Sequence, residues 1–179
     1  ADFKDRDAII ELSKKADIIT YEIESGDSDV LKSVESNSQV SPSPETLKII
    51  QDKLLQKQFL SDNNIPVPEF IEINDFNDLK MGLEKFGFPA LLKARRDAYD
   101  GKGNYKIDSE NEVQKAFDYF KGNPLLLEKF IPFEMEVSVI AARNTTGQIK
   151  LYPLVENIHE KNILRQTIAP ARVSKQIID

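Results

Sequence analysis

Residues 88–107 read FPALLKARRDAYDGKGNYKI. An apolar run of strand length, a basic connection carrying Gly101 and Gly103, and a short run at Tyr105 to Ile107 restrict this part of the chain to two strands joined by a loop. Asp100-Gly101 alone is the commonest kind of tight-hairpin signal. The competing reading is a phosphate-holding loop, because glycines let backbone N–H groups turn toward one point and Lys102 adds positive charge. The register Gly101-Lys102-Gly103-Asn104-Tyr105-Lys106 satisfies neither the Walker pattern nor the dinucleotide fingerprint, so both of those families are disfavoured. Lys93 follows Ala90, Leu91 and Leu92 in a strand that should be largely buried. An ammonium there is costly unless a phosphate or carboxylate compensates it, or unless it snorkels to water.

Around this unit helical and extended segments alternate. Ala8, Ile9 and Leu12 stand at helical spacing, and DIITYEI at 17–23 reads as a β-branched strand. Asp27 or Ser28 caps a helix with Val30, Leu31 and Val34. Ser43 and Pro44 then open another after the break VSPSPE. Between Thr46 and Leu60 the apolar phase slips around Gln51-Asp52-Lys53, which predicts two helices or one with a bend. Asp75 starts a helix carrying Phe76, Leu79, Leu83 and Phe86 on one face, with Gly87 as its stop. Ser109 and Glu112 form an S-x-x-E capping box for the next helix, which Gly122 ends. LLLEKF, EMEVSVIAAR and QIKLYPLVE read as strands, the last two joined by a turn at residues 144–147. The fold class is α+β.

At 179 residues with 40% hydrophobic content, the chain can bury a core as one domain or as pieces of two. A net charge of −6 opposes nucleic acid and anionic membranes but leaves room for a local basic pocket. The absence of cysteine excludes disulfides and thiolate metal sites. The start ADFKDRD has no signal-peptide core and no run is apolar enough to span a bilayer, so a cytoplasmic setting is expected.

Further candidates are acids and one histidine. In LLLEKFIPFEMEV a strand end presents one backbone donor and one acceptor to a flat heterocycle edge, and a nearby carboxylate suits a diol, although single acids here also fit an ordinary amphipathic strand. His159 lacks any nucleophile context and reads by itself as a loop residue. Glu22 and Glu24 stand two apart, on one face of the expected strand.

Taken jointly and in order, DFKDRDAI, ITYEIE, SPSPETLKIIQDKLLQKQFL, KARRDAYDGKGN, LLLEKF, FEMEVSVI, YPLVENIHEKNIL and APA resemble the ATP-grasp superfamily. Within it they are most similar to the 5-(carboxyamino)imidazole ribonucleotide synthetases of purine biosynthesis. The resemblance implies an incomplete ATP-grasp domain at 43–179, with a lid at about 88–130. Residues 1–42 would be the end of a Rossmann-like pre-ATP-grasp α/β domain. It implies ATP near Lys53 and Lys93, a glycine loop formed by Ala98, Tyr99, Asp100, Gly101, Lys102, Gly103 and Asn104, and an adenine hinge at Glu128, Lys129, Phe130 and Ile131. Glu136 would hold the ribose and His159 would line the nucleotide pocket. Lys93, Tyr99 and Asp100 are the implied catalytic residues, and Glu22 and Glu24 would face the ribonucleotide or bicarbonate.

The implied reaction uses ATP to phosphorylate bicarbonate and carboxylate the exocyclic amine of aminoimidazole ribonucleotide. Magnesium is implied, with ligands expected outside this span, so no metal ligand is assigned within it and the span alone is not expected to turn over. A homodimer is compatible with the resemblance. Lys102 stands where the family commonly has arginine, keeping the charge but not the bidentate fork. Formate-dependent glycinamide ribonucleotide transformylase and biotin carboxylase are disfavoured by AYDGKGN and IIQDK. A non-catalytic nucleotide-binding module is the alternative from another class.

Overall fold

The computed structural model describes residues 4–96, 103–160 and 163–178. They fall into two compact units, Ala1–Phe130 and Ile131–Asp179.

The first unit begins with α1 (Arg6–Ser13), β1 (Ile18–Ile19), α2 (Ser28–Ser33), β2 (Gln39–Val40) and α3 (Pro44–Ile50). β1 and β2 pair in parallel, as a strand–helix–strand unit requires. Ile19, Leu31, Val34, Val40 and Leu47 form their common core. Local capping chemistry sets the helix starts: Asp27 accepts N–H bonds at the head of α2 and Ser43 at the head of α3, where Pro44 fills the first turn. The strand expected over DIITYEI is confined to Ile18–Ile19. Its parallel partner is only two residues long, and the ladder ends where Ser41 N–H donates to the Ile19 carbonyl. Glu22 and Glu24 therefore lie past the strand, Glu24 in a turn and both exposed, and do not share a strand face.

The predicted phase slip is a break between α3 and α4 (Lys53–Asp62), with Asp52 capping the second helix through Leu54 N–H. Beyond it lie β3 (Phe70–Ile73), α5 (Phe76–Phe86), β4 (Ala90–Ala94), β5 (Asn104–Ile107), α6 (Val113–Tyr119) and β6 (Leu125–Lys129). The strands make an antiparallel sheet in the order β3-β6-β4-β5. Alternation along β4 sends Ala90, Leu92 and Ala94 into a core with Leu79, Leu83, Val113, Ala116, Leu125 and Leu127. Leu91 and Lys93 consequently point to the other face. The same alternation on β6 puts Leu126 and Glu128 there, because Lys93 pairs with Leu126 and Leu91 with Glu128. Against the predicted capping box, Ser109 makes no side-chain cap bond. A 3₁₀ turn at Glu110–Glu112 intervenes before α6, and the Glu112 carboxylate accepts Asp108 N–H instead.

The second unit holds β7 (Glu136–Ser138), β8 (Ala141–Arg143), β9 (Ile149–Leu151), β10 (Val155–Glu160), β11 (Ile163–Ile168) and the short α7 (Lys175–Ile178). β11-β10-β7 form one antiparallel sheet, and β8 and β9 form a separate hairpin. Thus each of the two long strand-like runs is split. Pro153, which has no N–H to give to a ladder, lies in the gap between β9 and β10. The turn at 144–147 is as expected: Asn144 Oδ1 accepts N–H bonds from Thr146 and Gln148. Among the described residues no helix is long and apolar enough to cross a membrane.

Gly87 ends α5 at φ 71° and ψ −168°, with nothing within 4 Å of where a Cβ would stand. The cost of a side chain there is therefore conformational and not steric crowding by neighbours. Gly87→Ala is expected to destabilise the protein by about 1–3 kcal/mol in urea unfolding.

Candidate functional site

The site is built around the hairpin of β4 and β5 and the helix α4. At the connected end of the hairpin, Lys93 pairs with Asn104, and Ala94 N–H donates to the Gly103 carbonyl at 2.9 Å. These bonds close the base of the glycine-bearing connection. Arg95 N–H donates to Pro124 O, and Lys53 N–H donates to Arg95 O, each at 2.9 Å. The start of α4 is thereby tied by backbone to the end of β4.

Asp52 reinforces the same junction. Its side chain is 1% exposed and is shared three ways. Oδ1 accepts Leu54 N–H at 3.0 Å and Arg95 Nε at 2.9 Å; Oδ2 accepts Arg95 Nη2 at 2.6 Å and Arg96 Nε at 3.0 Å. Arg95 reaches Glu72 on β3 with its remaining Nη1. Desolvation, the largest single influence, pushes the Asp52 pKa up. The hydrogen bonds from Arg95, Arg96 and Leu54 N–H, with the Arg95 charge, outweigh it and hold the carboxyl below its ordinary value.

On the sheet face opposite α5 and α6, Glu128 is buried between two ammonium groups. Lys93 Nζ lies 2.8 Å from Oε2, and Lys57 Nζ, from α4, lies 3.1 Å from Oε1. The side chains are 19% and 15% exposed against 4% for the carboxylate. A buried acid requires a cation, and here it has two. Among the described residues the cluster carries one positive charge more than it neutralises, at the mouth of the glycine-bearing connection.

The fates of the predicted site residues differ. Lys93 neither snorkels nor stands bare, because Glu128 is its partner. Lys53 is half-buried at the head of α4, beside a cleft of about 340 Å³ whose lining includes Glu24, Ser25, Gln51 and Arg96. Gly103 is buried and Asn104 half-buried. Ala98, Tyr99, Asp100, Gly101 and Lys102 lie outside the described residues. Past Glu128, Lys129 is exposed and paired with Glu69 at 2.8 Å, Phe130 has Lys106 Nζ 5.0 Å from its ring centre, and Ile131 is exposed. In the second unit His159 is a strand residue of β10 and not a loop residue, and its Nδ1 is 2.7 Å from Glu136 Oε2 on β7. Glu22 lines an apolar pocket with Ile9, Leu12 and Ile19, whereas Glu24 lines the polar cleft beside Lys53.

Sequence reasoning missed Asp52, Arg95 and Lys57 as a group. Lys57 follows Lys53 by one helical turn, which puts both ammoniums on one face of α4. That spacing, together with an acid inside the apolar run LLLE, was the available signal.

The chain matches two domain families: the ATP-grasp domain over residues 58–179 and the ribonucleotide synthetase preATP-grasp domain over residues 1–51. It is 42% identical over 173 residues to phosphoribosylaminoimidazole carboxylase of Schizosaccharomyces pombe, covering 97% of this chain and 31% of that protein. The carboxyaminoimidazole ribonucleotide synthase of Aspergillus clavatus, solved with ATP, superposes at TM-score 0.94 with 36% identity over 99% of this chain and 47% of that one. In complex with ADP and 5-aminoimidazole ribonucleotide, the Aspergillus clavatus enzyme matches at TM-score 0.92 and 34% identity, with 99% and 46% covered. This chain thus spans 31–47% of the length of these relatives.

The Asp52 junction makes a specific pH prediction. A depressed folded-state pKa adds stability that is complete above the ordinary aspartate value of 3.8 and is lost as pH falls through the lower, folded value. Asp52→Ala is expected to cost about 1–3 kcal/mol at pH 7, since it removes the cap of α4 and leaves two Arg95 donors without their carboxylate while Glu72 still pairs with Nη1. In urea titrations the gap between the two proteins should close as the pH falls below 3.8 and the carboxyl takes up its proton.

Proposed function

The chain belongs to the ATP-grasp family, and we propose that it forms the nucleotide-holding part of a 5-(carboxyamino)imidazole ribonucleotide synthetase. In this reading ATP supplies the phosphoryl group that activates bicarbonate, whose carboxyl group passes to the exocyclic amine of aminoimidazole ribonucleotide. The observation that carries the proposal is the surplus positive charge of Lys57, Lys93 and Glu128 at the base of the glycine-bearing connection. A polyanion is the natural complement of such a cluster.

Lys93 and Lys53 would take the phosphates, with backbone N–H groups from Ala98 to Asn104 turned toward them. Tyr99 and Asp100 would stand at the reacting phosphate. Where β6 leaves the sheet, the backbone from Glu128 to Ile131 would offer its donor and acceptor to the adenine edge. The Glu136–His159 pair suits a ribose diol, because a carboxylate fixed by an imidazole presents an oriented acceptor. Glu24, beside the cleft that Lys53 and Arg96 also line, fits the ribonucleotide side better than Glu22. Catalysis would rest on positioning and charge neutralisation by these groups, with no covalent enzyme intermediate.

Magnesium is implied by the resemblance. Among the described residues no group of three or more His, Cys, Asp or Glu could hold a metal ion. Bicarbonate as carbon source and a homodimer belong to the same reading, and a cytoplasmic setting accords with it.

Two outcomes are expected of the full-length protein. Lys93→Met should weaken ATP binding by about 1.5–3 kcal/mol in calorimetry, the value of one charged hydrogen bond. An unchanged affinity in a variant with native circular dichroism would remove the phosphates from Lys93. Phosphate release should require ATP, bicarbonate and aminoimidazole ribonucleotide together; turnover indifferent to the ribonucleotide would overturn the substrate assignment.

A further inference from the structure

Glu128 Oε1 is the only buried side-chain polar atom among the described residues without a hydrogen-bond partner. Lys57 Nζ is in ion-pair range of it at 3.1 Å yet is not aligned as a hydrogen-bond donor. The other oxygen, Oε2, faces Lys93 Nζ at 2.8 Å. The carboxylate is therefore held from two independent directions: by a sheet neighbour on β4 and by a helix, α4, that is not part of the sheet.

This arrangement has a consequence if Lys93 binds phosphate, the reading on which the inference rests. An ammonium that turns toward a nucleotide leaves Oε2, and a buried carboxylate stripped of its cation carries a large desolvation penalty. That penalty would be subtracted from nucleotide affinity. Lys57 is placed to prevent it, because its ammonium stays on Glu128 when Lys93 moves and Oε1 has unused acceptor capacity to take a full hydrogen bond.

We propose that Lys57 is a positioning residue for nucleotide binding: it retains the Glu128 carboxylate as a charged, fixed group so that Lys93 is released to the phosphates. Lys57 itself does not touch the nucleotide. Its effect is indirect and requires the negative charge at position 128.

The test uses the full-length protein and ADP titrations by calorimetry, with thermal unfolding recorded on every variant. Lys57→Met should lower ADP affinity by about tenfold, Lys57→Arg should restore most of it, and the loss should vanish when Glu128→Gln is already present. A merely structural lysine would lower the melting temperature in both backgrounds without this coupling in affinity. Should Lys57→Met not fold, Lys57→Met/Glu128→Gln is compared with Glu128→Gln alone, and equal ADP affinities are expected. A further tenfold loss in that comparison overturns the proposal, because Lys57 would then be contacting the nucleotide directly. If Lys93→Met weakens ADP binding and Lys57→Met leaves it unchanged, the positioning role fails while the nucleotide site stands. If Lys93→Met has no effect either, the nucleotide reading fails and the proposal falls with it.

Discussion

The shared carboxylate of Asp52 is the constraint on which the site's geometry depends. One buried group caps α4, takes both forks of Arg95 and holds Arg96, while Arg95 also reaches Glu72 on β3. Three stretches that are remote in sequence, the head of α4, the end of β4 and the edge strand β3, are therefore referenced to a single point. Lys53 starts its helix there, and the hairpin connection leaves β4 there. Burying an ion pair is weak evidence for net stability, since desolvation offsets much of the attraction. Its clearer contribution is orientation: few other arrangements of these segments would satisfy the same charges.

The second charged cluster works in the opposite sense. Around Asp52 the carboxylate is fully subscribed, with hydrogen bonds to both oxygens. Around Glu128 two ammoniums share one carboxylate and one oxygen lacks an aligned donor. A satisfied cluster fixes structure, whereas an unbalanced one keeps unused hydrogen-bonding capacity. The two lie at opposite ends of the span from Asp52 to Lys57, within the first turns of one helix.

Much of the fold was legible because its signals are local. Asp27, Ser43 and Asp75 cap helices within two or three residues of themselves, Gly87 stops α5 where positive φ is needed, and Asn144 closes a turn on its own neighbours. The failures share a different cause. DIITYEI has β-branched residues enough for a longer strand, but strand length is set by a partner, and β2 offers two residues. Ser109 and Glu112 have the right spacing for a capping box, but a 3₁₀ turn changes which N–H groups are free. At the site, the cost of burying Lys93 was visible from its apolar neighbours. That its partner is Glu128, with Lys57 on the far side, depends on the register of β4 against β6 and on where α4 lies, and neither is written in local sequence.

No residue of α4 is buried, and Leu55 and Phe59 are exposed. Its firmest anchors are polar: the Asp52 cap, the backbone bond from Lys53 and the Lys57 ion pair. A helix seated on apolar area is indifferent to the ionic state of what lies beneath it. One fastened through charge instead depends on the ionic state of its counter-ions, so the seating of α4 is coupled to the protonation and pairing of Asp52 and Glu128.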